Sequence, residues 1–281
     1  MKRKQKKDKI HKLTFQEMLV EKLKEQVSKS EKCKKALEIL LNDREINYLL
    51  EAVNIAAVGR LRYNDHGKTH SIITSLNALK ILDLFYEAGI EPNTIKEKTG
   101  DIDDARLTVL LAAYLHDVGH IVHREHHYEF SLWIAKPIVE RILEEIYGED
   151  IEKRIHVLAN VLHAIYAHDK DATALTVEAG IIGVADATDM AKGRARIPFA
   201  LGEVSIHSIS ALAIDYVEIK RGKEKPVRIE VHMNNSSGIF QIQELLQRKL
   251  RSSNLDQYIE VVAKIKPEER RILREAEIRI I

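Results

Sequence analysis

Ten of the thirteen histidines fall between His66 and His168, in a chain whose only cysteine is Cys33. The pair His116-Asp117 closes the apolar run Leu107-Thr-Val-Leu-Leu-Ala-Ala-Tyr-Leu115, with further histidines and an aspartate spaced around it. An apolar interior has little use for so many imidazoles unless they share a task, because every buried polar nitrogen needs a partner. Neutral imidazoles and carboxylates converging from separate segments suit a divalent transition metal (Mn, Fe, Co, Ni or Zn) better than Ca. Adjacent helical residues point about 100° apart, so His116 and Asp117 grip one ion either at a helix end, which Gly119 supports by weakening the helix there, or where the ion sits between their two directions. Asp117 would then offer one oxygen to each of two metals.

These side chains must be carried by helices. Helical periodicity covers most of the first two hundred residues. It predicts helices over Ile46–Val58, Thr69–Ala88, a stretch capped by Asp101 or Asp103 and ending in His116-Asp117-Val118-Gly119-His120, Tyr128–Tyr147 with a kink or fresh start near Pro137, Ile151–Ala167, and Thr173–Lys192. The last is apolar on nearly all sides and is expected to be buried. Beyond Pro198 the period changes to two over Ala213–Ile219 and Val227–Met233, with Arg221-Gly222-Lys223 as a turn. A helix from Ser236 to about Leu250, a strand over Tyr258–Ile265 and a charged helix opened by Pro267 complete the pattern. The expected fold is mainly α, a helical bundle followed by a small α+β (β-β-α-β) domain. Its divisions are a basic tail and helical lead-in over 1–45, a metal-binding helical domain over 46–200 and the α+β domain over 201–281.

Thr69-His70-Ser71, Leu115-His116-Asp117-Val118-Gly119 and Ala185-Asp186 together resemble the H…HD…D signature of the HD-domain metal-dependent phosphohydrolases. The resemblance spans about residues 60–196. It implies that His70, His116, Asp117 and Asp186 coordinate a first metal. It further implies that His127 and His168, with Asp117 bridging, hold a second, as in the dinuclear six-ligand subset. His126 and His163 are the rival ligands; five residues apart on one helix, His163 and His168 face about 140° apart, and His168 is favoured. His-Asp-Val-Gly-His is also similar to the deoxynucleoside triphosphate triphosphohydrolase branch, but that branch's longer run with Pro and Phe is absent.

The activity implied is hydrolysis of a phosphate ester, nucleotide or phosphodiester-like, by metal-activated water. Asp117 would bridge, and His120 or His123 would protonate the leaving oxygen. His66, four residues before His70, is a candidate for a metal or a substrate phosphate, as are Lys192, Arg194 and Arg196 for the phosphate oxygens. Two readings compete: a di-iron oxygenase built on the same six ligands, and a regulatory nucleotide-binding module. In the regulatory reading the C-terminal unit holds a ligand or a second subunit, and its strand edge could pair across a homodimer.

Composition sets the bounds. A chain of 281 residues suffices for a large domain and a smaller one. A single cysteine excludes an internal disulfide and fits a reducing compartment. With no signal peptide and no apolar run of spanning length, the expected location is cytoplasmic and away from membranes. Net charge is +1, yet residues 1–12 carry +6; such a tail permits binding to nucleic acid, but no recognition helix or aromatic-interleaved basic surface supports it.

Overall fold

Short polar residues divide the chain into helices. Thr14, Ser30 and Asp43 accept backbone N–H groups of the turn that follows, starting α1 (Phe15–Gln26), α2 (Glu31–Asn42) and α3 (Arg44–Asn54). Caps of this kind satisfy donors that a helix start leaves free. The structure is a computed structural model that describes residues 13–61, 63–169, 171–192, 206–265 and 277–279. The basic tail over 1–12, Arg194, Arg196 and the helix expected to open at Pro267 lie outside the described residues.

After α3 the chain continues through a π-helical turn, Ile55–Arg60, to α4 (Lys68–Glu87) and the short α5 (Asn93–Lys96). Asp101, with Asp104 reaching back to it, starts α6 (Ile102–Leu115). From Asp104 to Leu115 only Arg106 escapes full burial, because α2, α4, α8 (Ile151–Tyr166) and α9 (Val177–Thr188) surround this helix. The helix α7 (His127–Tyr147) runs through Pro137 as one element. Pro137 removes a bond to the carbonyl of Trp133, a residue that is 82% exposed, so the gap lies on the solvent side of the helix.

Sequence pattern does not single out Asp104, yet it fastens α6 to three other helices, α2, α7 and α8. Its buried carboxylate accepts from Lys153 Nζ at 3.1 Å, from Tyr147 Oη at 2.5 Å and from the Lys32 ammonium. Burial raises its pKa, but the bonds from Lys32 and Tyr147 more than reverse this and bring it down to about 2. A carboxyl depressed on folding contributes stability above its unfolded value near 3.9 and loses it as pH falls towards the folded value. Asp104→Asn is therefore expected to cost about 2 kcal/mol at pH 7. In guanidinium titrations the gap from the parent protein should close between about pH 4 and pH 2; a gap unchanged by pH would refute this role.

The C-terminal part begins with α10 (Ile206–Leu212) and then forms a four-stranded sheet in the order β1 (Ile214–Arg221), β2 (Val227–Met233), β3 (Ile259–Ile265), β4 (Glu277–Arg279). The first pair is antiparallel, β2 and β3 are parallel, and β4 returns antiparallel. The parallel pair requires a crossover, supplied by α11, residues 236–252, in which a π-helical turn Ile242–Leu246 separates two α-helical pieces. The β-β-α-β order is as expected, with β4 as an added strand. One apolar core runs through the whole, from Leu23 and Leu37 of the lead-in helices through Leu110 and Ile181 to Val231 and Leu250. Among the described residues no helix is long and apolar enough to cross a membrane.

Candidate metal centre

The end of α6 creates the site. His116 keeps helical dihedrals, whereas Asp117 (φ −102°, ψ 3°) leaves the helix and enters a 3-10 turn, Val118–Ile121. Both side chains thus turn towards one spot, as adjacency on a regular helix forbids. Ser131 of α7 locks this exit: its Oγ donates to His116 O at 2.6 Å and accepts from Gly119 N at 2.8 Å. Gly119 does more than weaken the helix. A Cβ there would lie 2.0 Å from His127 O and 2.6 Å from Ser131 N, so only glycine lets α7 approach this closely.

Around Asp117 the side chains form two sets. His70 Nε2 lies 3.2 Å from His116 Nε2, 3.3 Å from Asp117 Oδ2 and 3.2 Å from Asp186 Oδ1. On the other side, His127 Nε2 and His168 Nε2 are 3.1 Å apart, and each lies within 3.6 Å of Asp117 Oδ1. Each set presents one donor atom per residue within 4.8 Å of the others. A third group, His66, Asp117 and His120, meets the same criterion.

Hydrogen bonding fixes what these nitrogens can do. The Nδ1 atoms of His116, His127 and His168 face the carbonyls of Ala113, Arg124 and Ile165, in each case three residues earlier. A carbonyl only accepts, so each Nδ1 carries the hydrogen, and Nε2 of the neutral ring keeps a lone pair. His70 is set the same way by Asp189 Oδ2 at 2.7 Å. Paired lone pairs at 3.1 and 3.2 Å repel unless a cation lies between them. Burial pushes His127 down to about 2 and lowers His168 as well, so protonation is a poor remedy at that pair. At His116 burial also opposes charge, but Asp117 outweighs it and raises the pKa. For Asp117 and Asp186 burial works against ionisation, yet His116 beside the first and Lys249 beside the second keep both carboxylates well below their usual range. Ionised carboxylates and imidazoles whose Nε2 atoms converge make a donor set that fits divalent transition metals.

The six residues His70, His116, Asp117, His127, His168 and Asp186 therefore stand together. His120 joins them, its ring stacked on His127 at 4.3 Å and its Nε2 3.5 Å from Asp117 Oδ1. His66 does so from a loop rather than by helical spacing, since α4 starts only at Lys68. Asn54 Oδ1 accepts from the amides of His66 and Gly67, and His66 Nδ1 reaches Asp117 Oδ2 at 2.7 Å. Other candidates lie elsewhere. His123 is exposed and its Nδ1 accepts from Glu125 N; Lys192 pairs with Asp215 at 2.7 Å. The rival His126, at φ 60°, is exposed beside Glu129, and His163 Nε2 accepts from Leu175 N.

Three contributors were not anticipated. Asp189 lies three residues after Asp186, a spacing that puts both on one helical face and could have marked it. Arg124, whose guanidinium covers the Tyr63 ring at 4.7 Å and whose Nη1 lies 3.4 Å from His120 Nε2, carries no comparable signal. Neither does Lys249, whose ammonium pairs with Asp186 Oδ2.

Residues 68–191 match the family described as HD domain. A relative from Methanocaldococcus jannaschii, uncharacterized protein MJ1020, is 48% identical over 229 residues, which is 82% of this chain and 88% of that protein. The chain belongs to the HD-domain family. The HD match opens at the first residue of α4 and closes just beyond Asp189, so it contains all six clustered residues and leaves out His66 and Lys249. No solved structure matches this HD protein.

Proposed function

We propose that this HD protein hydrolyses a small phosphate ester, a nucleotide or a phosphodiester-like molecule. His70, His116, Asp117 and Asp186 would hold one divalent cation, and Asp117, His127 and His168 a second. The observation that carries this reading is the division of Asp117: Oδ2 faces His70 and His116, each at 3.3 Å, while Oδ1 faces His127 and His168 at 3.5 and 3.6 Å. A bound divalent pair supplies activation of water and polarisation of a phosphoryl oxygen.

The remaining roles belong to the chain. Asp189 and the three carbonyls keep every ligand imidazole in the required tautomer and orientation. His120 and His66, which meet Asp117 beside the two ligand sets, would hold a phosphate oxygen and pass a proton to the leaving oxygen. Of the two histidines considered for the leaving group, His120 is the one at the cluster. Two side chains are poor candidates for a covalent nucleophile: the Ser131 hydroxyl is committed to His116 O, and Cys33 is buried in α2 with its thiol pushed up to about 12 by burial.

Metal analysis of protein purified without chelator, followed by a phosphate-release screen over nucleotides and diesters with each of Mn, Fe, Co, Ni and Zn, tests the proposal. Two metals per chain and release abolished by chelator are expected. Loaded protein that releases no phosphate from any of these substrates would overturn the hydrolytic reading.

A further inference from the structure

Lys249 belongs to α11, outside the HD match, and lies 63 residues from Asp186 in sequence. Its side chain is 9% exposed, and its ammonium meets Asp186 Oδ2 while Asp186 Oδ1 faces the imidazoles of His70 and His116. The helix that carries it is fixed against the centre. A Cβ on Gly180 of α9 would stand 2.4 Å from Ser253 O, so the end of α11 packs directly on α9. Ala174 N donates to Ser252 O at 3.0 Å, and Asn254 Nδ2 donates to Ala174 O at 2.9 Å, which ties the same end to the segment joining His168 to α9.

A lysine in this place is not explained by metal binding. An ammonium a few ångströms from divalent cations repels them, and in a poorly screened interior that repulsion is large. Its charge also acts on residues of both ligand sets, Asp186 and His168. The ammonium has three N–H donors, of which Asp186 takes one. A cation with donors to spare, held by rigid packing beside a site of high positive charge, is complementary to an anion that binds after the metals.

We infer that Lys249, delivered by the C-terminal unit, is an anion-binding residue of the metal centre and takes a non-bridging phosphate oxygen of the substrate. The inference rests on the hydrolase reading. It gives the C-terminal unit a part in the site: the HD helices supply the metal ligands, and α11 supplies a charge that recognises phosphate.

The test is binding of inorganic phosphate, followed by calorimetry, to the full chain loaded with Mn2+, with metal content measured on the same samples and folding checked by circular dichroism. Lys249→Met is expected to keep the metal content of the parent and to weaken phosphate roughly ten- to hundredfold, the range of a charge-assisted hydrogen bond. Lys249→Gln should behave like Lys249→Met and provides a second neutral variant should the first fail to fold, whereas Lys249→Arg should stay within about threefold of the parent. Unchanged phosphate affinity in the folded neutral variants would overturn the inference. So would loss of metal with the affinity per loaded site unchanged, because Lys249 would then be a positioning residue for Asp186. Failure of the parent protein to take up metal would instead bring down the hydrolase reading, and this inference with it.

Discussion

Asp117→Asn is expected to release both cations and to lower phosphate hydrolysis by at least about a thousandfold, equivalent to roughly 4 kcal/mol of transition-state stabilisation. The substitution is nearly isosteric, so packing around a residue that is 3% exposed is preserved. What changes is that an amide has one oxygen where the carboxylate has two, and no charge. Asp117 Oδ2 and Oδ1 face different histidine pairs, so one of the two sets loses its oxygen whichever way the amide turns, and both lose the negative charge. Loss at a single ligand such as His168, by contrast, should empty mainly the second position. Metal content by mass spectrometry separates the cases; two tightly held metals in Asp117→Asn would refute the bridging assignment.

Gly119→Ala should be nearly as damaging through a purely steric route. The added methyl would overlap His127 O and Ser131 N, both backbone atoms of α7 that cannot swing aside. Either α7 shifts or the turn after Asp117 deforms, at a cost of about 3 kcal/mol or more, which corresponds to a melting temperature lower by roughly 6–12 °C. Because His127 opens α7, displacement of that helix also separates His127 from Asp117, so the second metal is expected to be lost before the first. Gly59→Ala is the control: nothing lies within 4 Å of a Cβ there, and replacing glycine in helical backbone is neutral or slightly stabilising. Equal melting temperatures for the two variants would exclude the close-approach explanation.

Much of this centre was legible because its residues sit where regular structure ends. The run from Leu107 to Leu115 announces a buried helix, and a polar pair at the close of such a run has few other uses. His70 and Asp186 were readable for the same reason, each lying on a strongly apolar helix. The choice between His126 and His127 was not readable: it turns on the left-handed backbone of His126, which starts α7 one residue later. The choice between His163 and His168 depends on where α8 stops, and a boundary shift of one or two residues is beyond periodicity. The place of His66 follows from the loop that Asn54 organises, while the expected helical spacing to His70 does not occur. Asp104 and Lys249 were missed because their partners are 43 to 72 residues away in the chain, and no local pattern records such contacts.

In the C-terminal part, alternation of residue type revealed β1 and β2, whereas β3, buried along nearly its whole length, was legible only as a short apolar run. The three-residue β4 is too short to show a period. The outer face of the sheet carries its own buried charge: Glu230 is held by Arg228, Lys220 and Lys264 at 2.7 to 2.9 Å, and although burial opposes its ionisation, Lys220 and Lys264 lower it to about 2. That face therefore reads as polar in sequence and is nevertheless partly closed.

Five separate stretches of chain, the beginning of α4, the exit of α6, the first residue of α7, the turn after α8 and the far part of α9, each give up a side chain to one small volume. Ions bound there would act as a rivet through the entire bundle, adding about 4 kcal/mol of resistance to unfolding when supplied a thousandfold above their dissociation constant. Protein stripped of such ions by chelator is therefore expected to unfold, and to be cut by protease, more readily than loaded protein.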